Sequence, residues 1–207
     1  MKDYSQHGES KILLSIFEKI KPKNNFAVEF GASDGFWLSN IRMFLEQGWE
    51  GLQLEGSDRL GDGVKKEFIT KENINELFQK YNVPQDFDLL SIDIDGNDYW
   101  VWDSLNYYPS VVIIEYNSNF TLDESFVMKY NPTHSFEINN KSYSASLSAL
   151  KKLGEKKGYF LTHEVAYCNL IFVKNEYREL LQELNLNTVR LPFKQHNGKN
   201  IEDFVEI

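Results

Sequence analysis

The stretch Phe26-Ala27-Val28-Glu29-Phe30-Gly31-Ala32-Ser33-Asp34-Gly35 decides the fold. Its first half is an unbroken, mostly apolar run of the kind that forms a short buried strand. Its second half is a turn bounded by two glycines, where the backbone can bend sharply and approach a ligand without interference from a Cβ.

Strand and helix patterns alternate outward from this point. Upstream, Ile12, Leu13, Ile16, Phe17 and Ile20 have helical spacing, and Lys21-Pro22-Lys23-Asn24-Asn25 ends that helix. Downstream, Leu38, Ile41, Phe44 and Leu45 predict a helix stopped by Gly48, and Leu52-Gln53-Leu54-Glu55 a second strand. Residues 73–81 predict a helix, 87–92 a strand, 99–105 a helix and 111–115 the most strand-like segment of all. A polar loop over 117–144 is too long for a mere connector. A helix over 145–157, strands at 158–161 and 170–173, a last helix over 175–185 and a patternless tail complete the chain. The expected fold is α/β: a Rossmann-like, mostly parallel sheet with an antiparallel closing strand and helices on both faces. Residues 1–207 read as one domain, with a core over about 9–175 and a C-terminal helix and tail over 176–207. In such sheets ligands sit at the carboxyl ends of the strands, and every notable polar cluster here follows a predicted strand.

Composition narrows the class. Forty-two per cent of the residues are apolar and 26% are charged, as in ordinary globular proteins. The net charge of −9 and the absence of a Lys/Arg stripe argue against nucleic acid as a partner. No apolar run approaches the roughly 20 residues that span a bilayer, and the N-terminus lacks the apolar core of a signal peptide. The single cysteine, Cys168, cannot form an internal disulfide, and no Cys/His set has zinc spacing, so a reducing, cytoplasmic setting is expected.

The second strand ends in Glu55, and an acid there can accept both hydroxyl hydrogens of an adenosine ribose. Joined to the glycine turn, this is a moderately specific sign of a nucleoside pocket; on the bland reading the glycines only turn the chain and Glu55 is a solvated acid. A nicotinamide dinucleotide fits poorly, because the three-glycine pattern is missing and Asp34 would repel a diphosphate over the helix start. S-adenosylmethionine carries a sulfonium and an ammonium instead, and Glu29 and Asp34 suit that cation.

The Glu-Phe-Gly-Ala-x-Asp-Gly turn resembles motif I of the class I S-adenosylmethionine-dependent methyltransferases. Ser91-Ile92-Asp93-Ile94-Asp95-Gly96-Asn97-Asp98-Tyr99, Glu115-Tyr116-Asn117, Ser5-Gln6-His7-Gly8-Glu9 and Ser144-Ala145-Ser146-Leu147 are similar to segments of FkbM-like methyltransferases and their small bacterial and phage relatives. The resemblance covers roughly residues 4–175. It implies methyl transfer, usually to oxygen and often on a sugar, glycan or small hydroxyl acceptor. It places Glu29, Gly31 and Gly35 at the methionine end of the cofactor and Glu55 on the ribose, with Ala32, Asp34, Gly56 and Asp93 completing the cofactor-binding set. The chain departs from class I domains between Glu55 and the strand at 87, where a helix, a strand and another helix normally fit. The stretch is short and interrupted by Gly61-Asp62-Gly63, so Glu67-Phe68-Ile69 is expected to be a remnant of the edge strand and the adenine side more open than usual.

A second cluster follows the later strands. Adjacent parallel strands lie about 4.8 Å apart, so Asp93, Asp95, Glu115 and Asn117 can converge. Crowded carboxylates repel one another unless protonated or bridged by a cation, and an all-oxygen set suits magnesium or calcium. Catechol-type O-methyltransferases look similar here, with an aspartate after the fourth strand and an acid–amide pair after the fifth. Three uses stay open: a Mg2+ site built from Asp93, Asp95, Glu115 and Asn117; direct base catalysis by Asp95 or Glu115; and simple capping of the helix near Asp98. His134, in the long loop, is a further candidate catalytic base. Gln6 and His7 can fold over the cofactor, and Trp37, Trp100 and Trp102 either line an acceptor pocket or belong to the core. A homodimer is among the oligomeric states left open. The rival readings are a methyltransferase-like binding module without turnover and, more weakly, a nucleotide-sugar or NAD-dependent enzyme.

Overall fold

The structure, a computed structural model, describes residues 2–135, 142–189 and 200–207. Its elements are α1 (Glu9–Ile20), β1 (Phe26–Phe30), α2 (Arg42–Leu45), β2 (Glu50–Glu55), β3 (Lys65–Lys66), α3 (Ile74–Lys80), β4 (Leu89–Ile92), α4 (Asp98–Ser104), β5 (Val111–Glu115), β6 (Phe126–Met128), α5 (Leu147–Lys156), β7 (Tyr159–Val165), β8 (Asn169–Lys174) and β9 (Phe204–Glu206). Seven strands form one sheet in the order β3-β2-β1-β4-β5-β8-β7. β1 to β5 pair in parallel, and β8 runs antiparallel to both β5 and β7. The Rossmann-like α/β sheet with an antiparallel closing strand is therefore as expected. Strand order reverses between β1 and β4, which makes their carboxyl ends the topological switch point.

The strands alternate their side chains between two apolar layers. Val28, Phe30, Leu52, Leu54, Leu90, Ile92, Val112 and Ile114 meet α3, α4 and α5 through Phe78, Trp102 and Leu150. Ala27, Leu89, Val111, Ile113 and Ile171 meet α1 and α2 through Leu13, Ile16, Phe17 and Phe44. Both faces are covered, which is why the central strands read as unbroken apolar runs rather than alternating ones. Asp88, fully buried at the start of β4, accepts hydrogen bonds from the backbone of Lys23, Asn24 and Asn25 at 2.7–2.9 Å and so fixes the entry into β1. No helix among the described residues is long and apolar enough to cross a membrane.

Four expectations need correction. The helix predicted from Leu38 is only the short α2; residues 36–41 are a loop held by Glu29, described below. The edge strand is Lys65–Lys66 rather than Glu67–Ile69, because β2 pairs there through Leu54 and Glu55. Residues 175–185 form a 3-10 turn at Asn175–Tyr177 and then irregular chain, not a helix. The segment runs along the outer strand instead, with Leu181 buried, the Leu184 N–H bonded to Leu161 O and the Arg178 guanidinium 4.6 Å from the Phe160 ring. Finally, part of the patternless tail is ordered: β9 pairs antiparallel with β6 inside the long polar loop, and Phe204 packs on Phe120. The remainder of that tail over 190–199, which includes His196, and loop residues 136–141 lie outside the described residues.

Candidate active site at the carboxyl edge of the sheet

The glycine turn leaves β1 at the switch point. Gly31 has φ +70°, and a Cβ there would lie 1.7 Å from the carbonyl oxygen of Asp93, so only glycine lets the turn pass against the end of β4. Gly61 permits a similar approach on the other side, since its Cβ would meet Asp34 O at 2.0 Å; the loop after β2 thus closes onto the turn.

The acids around this turn are well supplied with donors. Glu55 accepts from Ser33 N at 2.9 Å and Ser57 N at 2.7 Å. Asp34 Oδ1 accepts from Phe36 N and Trp37 N, and these amides hold its carboxyl below the usual range. Glu29 is buried, and its oxygens accept from Ser39 Oγ at 2.6 Å, Asn40 N at 2.7 Å and Gln53 Nε2 at 2.9 Å. Burial still pushes the Glu29 carboxyl upward against those donors. Expected at the methionine end of a cofactor, Glu29 instead organises residues 36–41, and Asp34 forms an Asx-type turn with the first of them. Glu55 keeps spare acceptor capacity, because a carboxylate has about four lone-pair sites and two are used. Gly56, beside it, lies against the half-exposed Phe68.

The neighbouring strand ends carry carboxylates of a different kind. Carboxylate oxygens of Asp93, Asp95 and Glu115 lie within 4.8 Å of one another. Burial, then the charges of Asp95 and Asp98, pushes Asp93 well above the usual carboxylate range. Glu115 is raised likewise by burial and by Asp93. Asp95 is pushed up to about 6, chiefly by burial and secondly by Asp98. Glu115 Oε2 is shielded from solvent and has no hydrogen-bond partner. Asp98 is the structural member of the cluster: fully buried, it accepts from Ile94 N at 2.9 Å and Gly96 N at 2.8 Å and shapes the turn. Asn97, the N-cap residue of α4, makes no side-chain cap hydrogen bond, and its side chain bonds the backbone of Asn131 instead.

Asn117 and His134 sit differently from expectation. The Asn117 amide oxygen accepts from Asn119 N and Nδ2, and its Nδ2 donates to Tyr143 O at 3.0 Å, so both ends of the amide are engaged in the loop. The oxygen set for a cation narrows to the three carboxylates. His134 packs on Gly96, where a Cβ would lie 2.3 Å from its Cδ2, and its Nε2 is 2.9 Å from the carbonyl oxygen of Asp95. A carbonyl only accepts, so Nε2 carries the hydrogen and a base role would fall to Nδ1. The loop is also fastened by Asn97 Nδ2 donating to Asn131 O at 2.7 Å and by Trp100 Nε1 donating to Met128 O at 2.7 Å. Trp102 is core.

The N-terminal segment crosses the same edge. Ser5 makes a parallel bridge to Leu38, and Glu9, fully buried, accepts from His7 N and from Asn169 Nδ2, next to Glu115 in register. Gln6 accepts from Cys168 Sγ at 3.7 Å. Sequence reasoning missed Tyr143 and Cys168, whose side chains feel the field of Glu115 and are raised mainly by burial. The conspicuous Ser144-Ala145-Ser146 run after Tyr143 was the only signal available for it.

No protein-family model matches this sequence, and no curated protein matches it. Solved structures of similar fold include the N-terminal domain of EvdMO1 in the presence of SAH and D-fucose, 13% identical over 82% of this chain and 83% of that chain, TM-score 0.49. An S-adenosylmethionine-dependent methyltransferase from Clostridium acetobutylicum is 11% identical over 84% of this chain and 92% of its own, TM-score 0.48. The glycopeptide N-methyltransferase MtfA complexed with (S)-adenosyl-L-homocysteine is 13% identical over the same shares, 84% and 92%, TM-score 0.40.

Proposed function

We propose that this chain is an S-adenosylmethionine-dependent methyltransferase of the FkbM-like kind that methylates a hydroxyl group on a small or glycan acceptor. One observation carries the reading: Glu55, with acceptor capacity to spare, and the Asp93–Asp95–Glu115 cluster stand at adjoining strand ends around a glycine turn. Acids so arranged at the switch point suit a sulfonium and its ribose. Bound S-adenosylmethionine supplies an electrophilic methyl group on a positively charged sulfur. Glu55 accepts the ribose hydroxyls, Gly31 clears the floor of the pocket, and Phe68 beside Gly56 offers an apolar surface to the base. Asp95, titrating at about 6, is ionised at neutral pH and placed to take the proton of the acceptor hydroxyl.

The same three carboxylates fit a divalent cation such as magnesium, since they offer hard oxygen donors and Glu115 Oε2 has no donor of its own. A cation there would lower the acceptor hydroxyl pKa and orient it. A solitary cysteine and an acidic chain suit a cytoplasmic enzyme.

Isothermal titration with S-adenosylmethionine, with and without Mg2+, is the test. Heat of binding, with affinity weakened about tenfold or more in Glu55→Ala, is expected; no heat at millimolar cofactor ends the proposal. The two-residue β3 favours one other reading, a binding module without turnover. Cofactor binding with no S-adenosylhomocysteine formed across a broad panel of hydroxyl acceptors would select it.

A further inference from the structure

Phe36, Trp37 and Leu38 are consecutive apolar residues, and all three are exposed, by 39%, 64% and 37%. A run of this kind on a surface is a fault unless it serves a purpose. Leu38 also has φ +59°, a left-handed backbone that a branched side chain adopts only where its surroundings impose it. Here they do. Asp34 Oδ1 takes the amides of Phe36 and Trp37, Glu29 takes Ser39 Oγ and Asn40 N, and Ser5 bridges Leu38. The Phe36 ring is occupied, with the Arg42 guanidinium 3.6 Å from its centre and Tyr4 edge-on at 6.2 Å. Trp37 is left as an indole presented to solvent by a rigid, strained loop.

The loop stands at the candidate site. It continues directly from the Gly31–Gly35 turn, which abuts Asp93, and Asn40 Nδ2 donates to Ser91 Oγ in β4, two residues before that aspartate. The Ser5 bridge leads through Glu9 to Asn169 beside Glu115, so the loop that carries Trp37 stands at the same carboxyl edge of the sheet as the acids.

We propose that Trp37 is the acceptor platform: its indole face receives the flat C–H face of an uncharged, hydroxylated ring, which carries the hydroxyl toward Asp95 and Glu115. An anionic ring is disfavoured by the carboxylates, and a broad aromatic face carried on a backbone pinned by Asp34 suits a pyranose or a phenol ring. The ring chemistry rests on the methyltransferase reading; the exposure and fixing of Trp37 do not.

The test uses the full chain with 15N-labelled tryptophan. The chain has four tryptophans, so four indole N–H signals result, and Trp37→Phe assigns the one that matters. Methyl pyranosides of several configurations, and catechol as the phenol arm, are titrated to high millimolar concentration with S-adenosylhomocysteine present and absent. A saturable shift of the Trp37 signal, with binding weakened about tenfold or more in Trp37→Ala and unchanged in Tyr108→Ala on the opposite edge, is expected. A response to catechol alone keeps the platform and assigns it a phenolic ring. A Trp37 signal unmoved by every probe, or a probe bound equally by Trp37→Ala, overturns the inference. So does a shift that follows protein concentration without any probe, since a second copy of the chain would then be the occupant. If calorimetry shows no S-adenosylmethionine binding while pyranosides still shift Trp37, the proposed function fails and the platform stands.

Discussion

Two sets of carboxylates line the same edge of the sheet, and they are held in opposite ways. Around the glycine turn, Glu29, Asp34 and Glu55 are each given backbone or side-chain donors at 2.6–2.9 Å. At the ends of β4 and β5, Asp93, Asp95 and Glu115 crowd one another, and one oxygen of Glu115 has no donor at all. The donors of the first set fasten Glu29 and Asp34 into the fold and leave Glu55 with acceptor sites to spare; crowding in the second set destabilises the ionised acids and leaves them for whatever binds. The lesson is that an acid beside a pocket counts toward function by the acceptor capacity it has left, not by its position.

Substitutions can break or sharpen this contrast. The largest effect is expected at the turn itself: Gly31→Ala should cost about 4 kcal/mol or more, because neither φ nor the Asp93 carbonyl tolerates the methyl group, and soluble yield together with urea unfolding would report it. Glu29→Ala strands three buried donors and should lower stability by about 3 kcal/mol in the same assay. An effect near zero would mean that Glu29 faces the ligand after all. Glu55→Ala should weaken S-adenosylmethionine by about tenfold to a hundredfold in calorimetry, the loss of charge-assisted bonds to two hydroxyls, with a smaller change in stability. Asp95→Asn should do the reverse of Glu29→Ala and raise stability by about 1–2 kcal/mol at neutral pH, since it removes a repelled charge and Asn tolerates the φ of +56° found there. The smallest change belongs to Asp34→Ala, a slight loss of melting temperature from the exposed turn.

Acidity probes the crowded set directly. Asp93, Asp95 and Glu115 have folded-state pKa values above those of the unfolded chain, so between about pH 4 and about pH 6 the native state binds more protons than the unfolded state. Their contribution to stability is present in mild acid and is lost as pH rises through their folded-state values, about 6 for Asp95. The melting temperature should therefore fall from pH 5 to pH 8, and Mg2+ should recover more of it at pH 8 than at pH 5; an equal or absent response to Mg2+ would argue for base catalysis without metal.

Much of this was legible in the sequence, for reasons that also explain the failures. β1, β4 and β5 are covered on both faces, so Val28, Leu90 and Ile113 sit in continuous apolar runs that no solvent-facing residue interrupts. Residues 175–185 misled because Tyr177, Leu181 and Leu184 have helical spacing, yet their partners are the outer strand and α1 rather than a helix-packing groove. β6 and β9 have three residues each and pair with one another, while β6 bridges Ala145 on its other side, contacts that no local window can reveal. At the site, the positions of the acids followed from the strand ends, whereas their roles depended on which amides turned toward them. Glu29 and Asp95 look alike in sequence; three donors and a ring of like charges make them different.

The β6–β9 ribbon bears on how the molecule comes to be functional at all. It joins the long loop after β5 to the last described strand, so it can close only after more than a third of the chain has been positioned, and pairings of such separation in sequence form slowly. The loop that carries Asn131 and His134 to the turn at Asp95 leaves directly from β6. The glycine-turn side of the site should thus ripen early in folding and the side that faces His134 last, and in pulse-labelled hydrogen exchange the amides of β6 and β9 would become protected after those of β1 and β4.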